Sequence, residues 1–338
     1  MDRLKSILVV GPVCGSKGGV NIHLNRLSEL LNNDYQFTYL DESHSTKQTI
    51  VNVRNKEFIK ILKLFKSADT VFIHTGVWYL RIIYILIARL LKKRIVVTIH
   101  AWLSKTPLFQ KISTQLSLKF SDDIITVNQD IGTYLNLKKT LIKPAFIPPT
   151  LEPNHILDSE ILKYISNNKF KIISANAFRI DDYFGKDMYG IDLAIDLAKQ
   201  IKNNKLDYKI IFIISTIQGC ENKYLEYEKI INSSFLQDYI LLFAKEISFV
   251  NLILKSDLII RPTRTDGDAL TIREALYLNT PILASDVVNR PEGTYTFKNG
   301  DAKDLFEQTQ RILKNNSNII EYKKENLNDL KIFYKNLL

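Results

Sequence analysis

The sequence predicts an α/β protein of two consecutive parallel-sheet domains facing a central cleft, and three features carry that expectation. Short runs rich in Val, Ile and Leu alternate with stretches of helical length. These runs are nearly continuous in apolar residues, as strands buried on both faces are. The pattern stops at a proline-bearing link, "KPAFIPPTLEP", and then restarts. Parallel strands need crossover helices, and open sheets of this kind hold ligands at the carboxyl ends of their strands.

In the first half the strand candidates are "SILVVG", "QFTYL", "TVFIHT", "RIVVTIH" and "DIITVN". In the second they are "FKIISAN", "YKIIFIIST", "DYILLFA", "SDLIIRPT" and "TPILASD". Pro144, Pro148, Pro149 and Pro153 preclude continuous regular structure between Lys143 and Asn154. The expected division is therefore a first domain over 1–148, a second over 149–318, and a closing helix over 319–338. From Asp301 to Leu338 the tail reads as two charged helices with an Asn-rich break at Asn315 to Asn318.

Composition narrows the function classes. A chain of 338 residues with 46% hydrophobic and 24% charged residues is long enough for two globular domains and is not disordered. Its apolar runs, such as Ile82 to Ala88, fall far short of the roughly 20 residues that span a bilayer. The opening "MDRLKSILVVGPVCG" is too brief in its apolar part for a secretory signal and reads as a first strand. Cys14 and Cys220 form neither a disulfide framework nor a CxxC pair, which suits a reducing cytoplasm. The net charge of +10 is concentrated: residues 1–150 hold 21 Lys and Arg against 10 Asp and Glu, and the remainder 25 against 26. A basic half suits an anionic membrane or an acidic substrate, whereas no nucleic-acid motif accompanies it.

Chemistry-bearing residues follow the strands. After the first comes "GPVCGSKGGVNIHL", where Gly18 and Gly19 lead into a helix with Val20, Leu24 and Leu27 on its apolar side. Glycines there let a ligand approach the backbone, and a helix start offers free N–H groups to an anion; a tight turn explains them equally well. The spacing is neither a P-loop nor GxGxxG. "VVTIHAW" places His100 and Trp102 at a strand end, where a histidine can hydrogen-bond a hydroxyl. The histidines, His23, His44, His74, His100 and His155, show no HxH or HExxH spacing, which argues against a histidine-built metal site. "SANAFRIDDYFGKDMYG" sets Arg179 and Lys186 in a polar loop, two cations suited to a diphosphate but flanked by Asp181, Asp182 and Asp187. Finally, "RTDGDALTIREAL" holds Asp266, Asp268 and Glu274. A helix starting at Asp268, capped by that residue, brings the backbone at Gly267, Ala269 and Leu270 to a phosphate. Glu274 then needs hydrogen-bond donors such as ribose hydroxyls, and Asp266 stands before the helix for a sugar. A metal held by Asp266 and Asp268 is the competing reading.

The segment "RPTRTDGDALTIREALYLNTPILASDVVNRPEG" resembles the C-terminal signature of the retaining family-4 glycosyltransferases of GT-B fold, whose two Rossmann-like domains match the architecture above. Agreement extends to Gly18-Gly19, "VVTIHAW", "SDDIITVN" and Arg179. The resemblance implies transfer from a nucleotide-diphosphate sugar with retention and with no cofactor or metal. It implies that Glu274 binds the ribose, Asp266 and His100 the sugar, and Arg179 and Lys186 the diphosphate, with Gly18 and Gly19 allowing close approach. Three positions depart from the family pattern: Asp266 where glutamate is usual, Arg179 and Lys186 seven apart, and Asn279 where glycine is common.

The expected acceptor is a glycan or lipid-linked oligosaccharide in surface polysaccharide biosynthesis, bound mainly by the basic first half. "WYLRIIYILIARLLKKR", Trp78 to Arg94, reads as a core helix whose basic end suits peripheral contact with an anionic membrane at the inner, cytoplasmic face. The alternatives are a nucleotide-sugar epimerase of the same fold and a non-catalytic nucleotide-sugar-binding subunit. Nucleic acid is not an expected partner.

Overall fold

A computed structural model describes residues 3–14, 18–44, 49–100, 107–151, 157–314 and 326–338. The chain divides into two units, Met1–Ile147 together with Glu325–Leu338, and Pro148–Lys324. The break therefore falls within the proline-bearing link, and the C-terminal segment belongs to the first unit.

The first unit runs β1 (Lys5–Gly11), α1 (Gly19–Leu31), β2 (Tyr35–Asp41), β3 (Val51–Asn52), α2 (Phe58–Ser67), β4 (Thr70–Ile73), α3 (Trp78–Leu90), β5 (Arg94–Ile99), α4 (Leu108–Leu118), β6 (Asp123–Thr126), α5 (Gln129–Tyr134) and β7 (Leu141–Ile142). Its 7-stranded sheet has the order β3-β2-β1-β4-β5-β6-β7, parallel throughout. The strand order thus reverses between β1 and β4, the kind of position at which open parallel sheets commonly hold ligands.

The second unit runs α6 (Ser159–Ile165), β8 (Lys171–Ala177), β9 (Asp182–Tyr183), β10 (Lys186–Asp187), α7 (Ile191–Asn203), β11 (Tyr208–Ile214), α8 (Glu221–Ser233), β12 (Ile240–Phe243), α9 (Phe249–Ile253), β13 (Leu258–Arg261), α10 (Leu270–Tyr277), β14 (Ile282–Ser285), β15 (Tyr295–Phe297) and α11 (Ala302–Lys314). Six strands pair in parallel in the order β12-β11-β8-β13-β14-β15, reversing between β8 and β13. The short β9 and β10 form an antiparallel hairpin apart from this sheet. α12 (Leu327–Leu337) closes the described chain and packs in the first unit.

All ten quoted runs form strands, and most are buried on both faces, β2 with its half-exposed middle at Gln36 to Tyr39 being the exception. β1, β4 and β5 are buried along almost their whole length. Leu8 and Val10 of β1 face α2 and α3 through Ile61, Phe65, Tyr84 and Ile85, while Ile7 and Val9 face α1 and α12 through Leu24, Leu27, Leu330 and Tyr334. α12 is held to that unit by Lys331 on Asp34 at 2.8 Å, by Thr70 Oγ1 donating to the Leu338 carbonyl at 3.1 Å, and by Arg94 Nε donating to the Leu337 carbonyl at 3.0 Å. On α3, Tyr84, Ile85 and Ala88 are buried while Tyr79, Ile83, Leu86 and Leu90 are exposed. The stretch is a core helix on one face only.

Candidate functional site

In the second unit, the strand order reverses beside a built polar cluster. Asn176, next to the end of β8, accepts from Arg261 Nη1 through its carbonyl at 3.4 Å and from Thr271 Oγ1 through its side chain at 3.0 Å. The ends of β8 and β13 are thereby tied to the first turn of α10.

Asp266 is the hub of this cluster. Its Oδ1 accepts from Arg261 Nη2 at 3.2 Å and from the Gly267 N–H at 3.1 Å. Its Oδ2 accepts from Arg261 Nε at 3.2 Å, Thr263 Oγ1 at 3.2 Å and Arg290 Nη1 at 2.8 Å. A carboxylate offers about four lone-pair directions, so these donors saturate it, and the expected direct hold of Asp266 on a sugar hydroxyl finds no free acceptor. Burial pushes the Asp266 carboxyl up, but Arg261 and Arg290 outweigh it and hold the group below the usual carboxylate range. Arg290 is fixed further by donating to the Ser285 carbonyl at 2.8 Å, and Arg261 lies over the Tyr189 ring at 5.6 Å. Arg261 and Arg290 were not singled out in the sequence, although both stand inside the segment that carries the resemblance.

The helix start differs from the expected one. α10 begins at Leu270 with Ala269 at the cap position, and no side chain caps it. Asp268 turns instead to Arg273, whose Nε donates to both of its oxygens at 2.7 and 2.9 Å. The cause is local: Arg273 lies one turn into the helix and offers a charged donor, which outcompetes a neutral backbone N–H. The reading of Asp268 as the helix cap is therefore corrected. Gly267, Ala269 and Leu270 do lie at this start, and Glu274 follows Thr271 by one turn with only 4% of its surface exposed. Asn279 ends the helix with φ 57°, the left-handed conformation for which asparagine substitutes for glycine.

Arg179 follows β8 and pairs with Asp181, its Nε donating at 2.7 Å; this hydrogen bond and the carboxylate's charge raise its pKa. Lys186 lies on β10, exposed, with no ion pair among the described residues. Behind the hairpin, Arg264 grips Asp192 with both terminal nitrogens at 2.8 and 2.7 Å. Gly190 has φ +75°, and a Cβ there would lie 2.2 Å from the Pro262 carbonyl oxygen. Gly190→Ala should therefore cost about 2–3 kcal/mol in chemical denaturation, from strain plus overlap; a loss below about 0.5 kcal/mol would contradict this close approach.

Asp187 is buried, accepts the Ile191 N–H at 2.9 Å through Oδ1, and has no partner on Oδ2. Its carboxyl is pushed up to about 6, chiefly by burial, from an ordinary value of 3.8. A folded pKa above the unfolded one means the ionised form is penalised in the fold. That penalty is absent below pH 3.8 and complete above about 6. Asp187→Asn keeps the capping oxygen and removes the charge, so it should stabilise the protein by about 1–2 kcal/mol at pH 8, with no gain below pH 4. Urea titrations at the two pH values decide it, and a less stable variant at pH 8 would count against this assignment.

In the first unit, Gly18 and Gly19 stand at the start of α1, which also lacks a side-chain cap. Gly18 has an ordinary φ of −70°, and a Cβ there would touch nothing within 4 Å among the described residues. Asp41, at the end of β2, steadies the preceding turn by accepting the Val13 and Cys14 N–H groups at 2.9 and 3.0 Å. His100, half-buried at the end of β5, sets Nε2 against His74 Nδ1 at 2.9 Å. His23 of α1 joins them. Burial holds all three imidazoles below their ordinary value, His23 at about 4. No spacing in the sequence signals this grouping, because its members come from three separate elements. Trp102 lies outside the described residues.

No protein-family model and no curated protein matches the sequence. Solved structures do match in shape. HepE of Anabaena, crystallised with UDP and glucose, superposes with a TM-score of 0.78 over 98% of each chain at 12% identity. The fold is that of the GT-B glycosyltransferases. A glycosyltransferase of Rickettsia africae matches with a TM-score of 0.68 at 16% identity, over 99% of this chain and 94% of that one. Sucrose-phosphate synthase of Thermosynechococcus elongatus matches with 0.63 at 15% identity, over 92% and 90%. At these identities what is shared is the two-sheet GT-B architecture.

Proposed function

We propose that this GT-B protein is a retaining glycosyltransferase that moves a sugar from a nucleoside-diphosphate sugar to a glycan or lipid-linked oligosaccharide. The observation that carries the reading is Glu274: a buried carboxylate behind an uncapped helix start, at the reversal of the second sheet. Such a start suits an anion, and a carboxylate one turn further suits the hydroxyls of an attached ribose. HepE was crystallised with UDP-glucose, a ligand of that composition.

In this reading the diphosphate lies at Gly267, Ala269 and Leu270 with Arg179, and with Lys186 completing the charge. Both cations stabilise the leaving group as its charge grows. Asp266 acts by positioning Arg261 and Arg290. In the first unit, Gly18 and Gly19 leave the backbone open to a ligand, and His100 is suited to donate to a sugar hydroxyl. The cations at the diphosphate are the protein's own, so donor binding should survive chelator. A donor screen by nucleoside diphosphate release, with and without acceptor lipids, tests the activity. Acceptor-dependent release supports transfer; isomerised donor without acceptor would indicate an epimerase, and neither would indicate a binder. The anomeric form of the product, read by NMR, tests retention.

A lipid-linked acceptor is favoured by the first unit's surface. Phe58, Ile59 and Leu90 are exposed, as are Leu108 and Phe109, and Lys60 and Lys63 lie among those of α2. No helix among the described residues is long and apolar enough to cross a membrane. Apolar side chains with lysines suit contact with anionic lipid from the cytoplasmic side, in keeping with the surface polysaccharide synthesis on a lipid carrier that we propose. Co-sedimentation with anionic over neutral vesicles at low salt is the expected result, and equal sedimentation would remove this part of the proposal.

A further inference from the structure

Three histidines from separate elements of the first unit meet at the carboxyl edge of its sheet: His23 from α1, His74 directly after β4 and His100 directly after β5. One ring nitrogen of each lies within 4.8 Å of the other two. We propose that they form a three-imidazole site for a divalent transition metal of the zinc class.

The rings are already spaced for one. Their centroids are 5.6 Å apart for His23 and His74, 5.3 Å for His23 and His100, and 5.2 Å for His74 and His100. An imidazole that holds zinc at about 2.0–2.1 Å has its centroid about 3.2 Å from the ion, so two tetrahedral ligands have centroids about 5.2 Å apart. The close pair, His74 Nδ1 and His100 Nε2 at 2.9 Å, needs to open only to about 3.3 Å, a small ring rotation.

Hydrogen bonding within the cluster does not account for it. Pairing His74 with His100 leaves both nitrogens of His23 and Nε2 of His74 buried without a partner. Each such buried polar atom costs about 1–3 kcal/mol. A cation takes up lone pairs that no donor reaches. The Ala145 backbone lies close enough to His23 to favour its protonated form, without a well-formed hydrogen bond. Metal-bound imidazoles commonly direct their far N–H to such a carbonyl. The cluster offers nitrogen alone, which suits zinc, copper or nickel over magnesium or calcium. His23 and His74 are 1% and 2% exposed whereas His100 is half-buried, so the fourth coordination position opens on the His100 side, to water or a ligand oxygen. With its Nε2 turned inward, His100 keeps Nδ1 as a donor. The metal site is thus independent of the transferase reading, and either can fail without the other.

The test uses the full chain stripped with chelator and titrated with Co²⁺. One equivalent should produce the visible absorption of tetrahedral cobalt, displaced by one equivalent of Zn²⁺, and X-ray absorption of the zinc form should show about three imidazoles per ion. His100→Gln and His74→Gln should each weaken zinc binding at least about 100-fold while far-UV circular dichroism stays unchanged. Wild-type protein that gives no tetrahedral cobalt spectrum, or zinc without imidazole scattering, would overturn the proposal, and neither readout depends on the variants folding.

Discussion

Asp266→Ala should destabilise the protein by about 3–5 kcal/mol, measured as a shift in the urea midpoint at constant slope. The carboxylate is 7% exposed and neutralises Arg261 and Arg290, which are themselves 13% and 3% exposed. Removing it leaves two guanidinium groups close together in a poorly solvated site, with no other carboxylate partner among the described residues. Asp266→Asn keeps one acceptor and should lose less than the alanine variant. A triple change of Asp266, Arg261 and Arg290 to apolar residues should recover part of the stability, because no buried charge then remains. It should recover no turnover, since the proposed role of the pair of arginines is lost. A loss below about 1 kcal/mol for Asp266→Ala would mean that the network is not the support described.

The same cluster shows how far the sequence could be read. All five long strands of each unit were legible, most of them because a strand buried on both faces announces itself as a continuous apolar run, though β2 is half-exposed in its middle. β3, β7, β9, β10 and β15 were not, being two or three residues long, too short for any periodicity. The sequence singles out Asp266 by its spacing from Glu274, yet the arginines that pair with Asp266 were not legible. Arg290 reaches Asp266 across 24 residues, and nothing local in "VVNRPEG" forecasts that. Asp268 was misassigned for the same kind of reason: N-cap preference is a statistical property of the backbone, and Arg273 competes for the carboxylate at close range. The histidine cluster was hidden further still. Its members are 51 and 26 residues apart, so motif spacing has nothing to detect, and only the order of β1, β4 and β5 brings them to one edge.

Glu274→Ala should lower kcat/KM for the donor at least about 100-fold, or about 2.7 kcal/mol of transition-state stabilisation. The proposed contact is with the ribose, remote from the reacting carbon and present before and during transfer. The loss should consequently fall mainly on donor KM, with kcat reduced less. Glu274→Gln keeps the shape and one acceptor oxygen, so its loss should be nearer 10-fold. Stability separates function from structure here, since alanine is a strong helix former and Glu274 lies inside α10. The denaturation midpoint of Glu274→Ala should move by less than that of Asp266→Ala. The decisive comparison is a donor lacking the ribose 2′-hydroxyl. Wild-type enzyme should discriminate against it, whereas Glu274→Ala should treat the two donors almost alike, because the partner of that hydroxyl is gone. If the variant discriminates as strongly as the wild type, Glu274 does not hold the ribose, and the donor must be placed elsewhere on the second sheet.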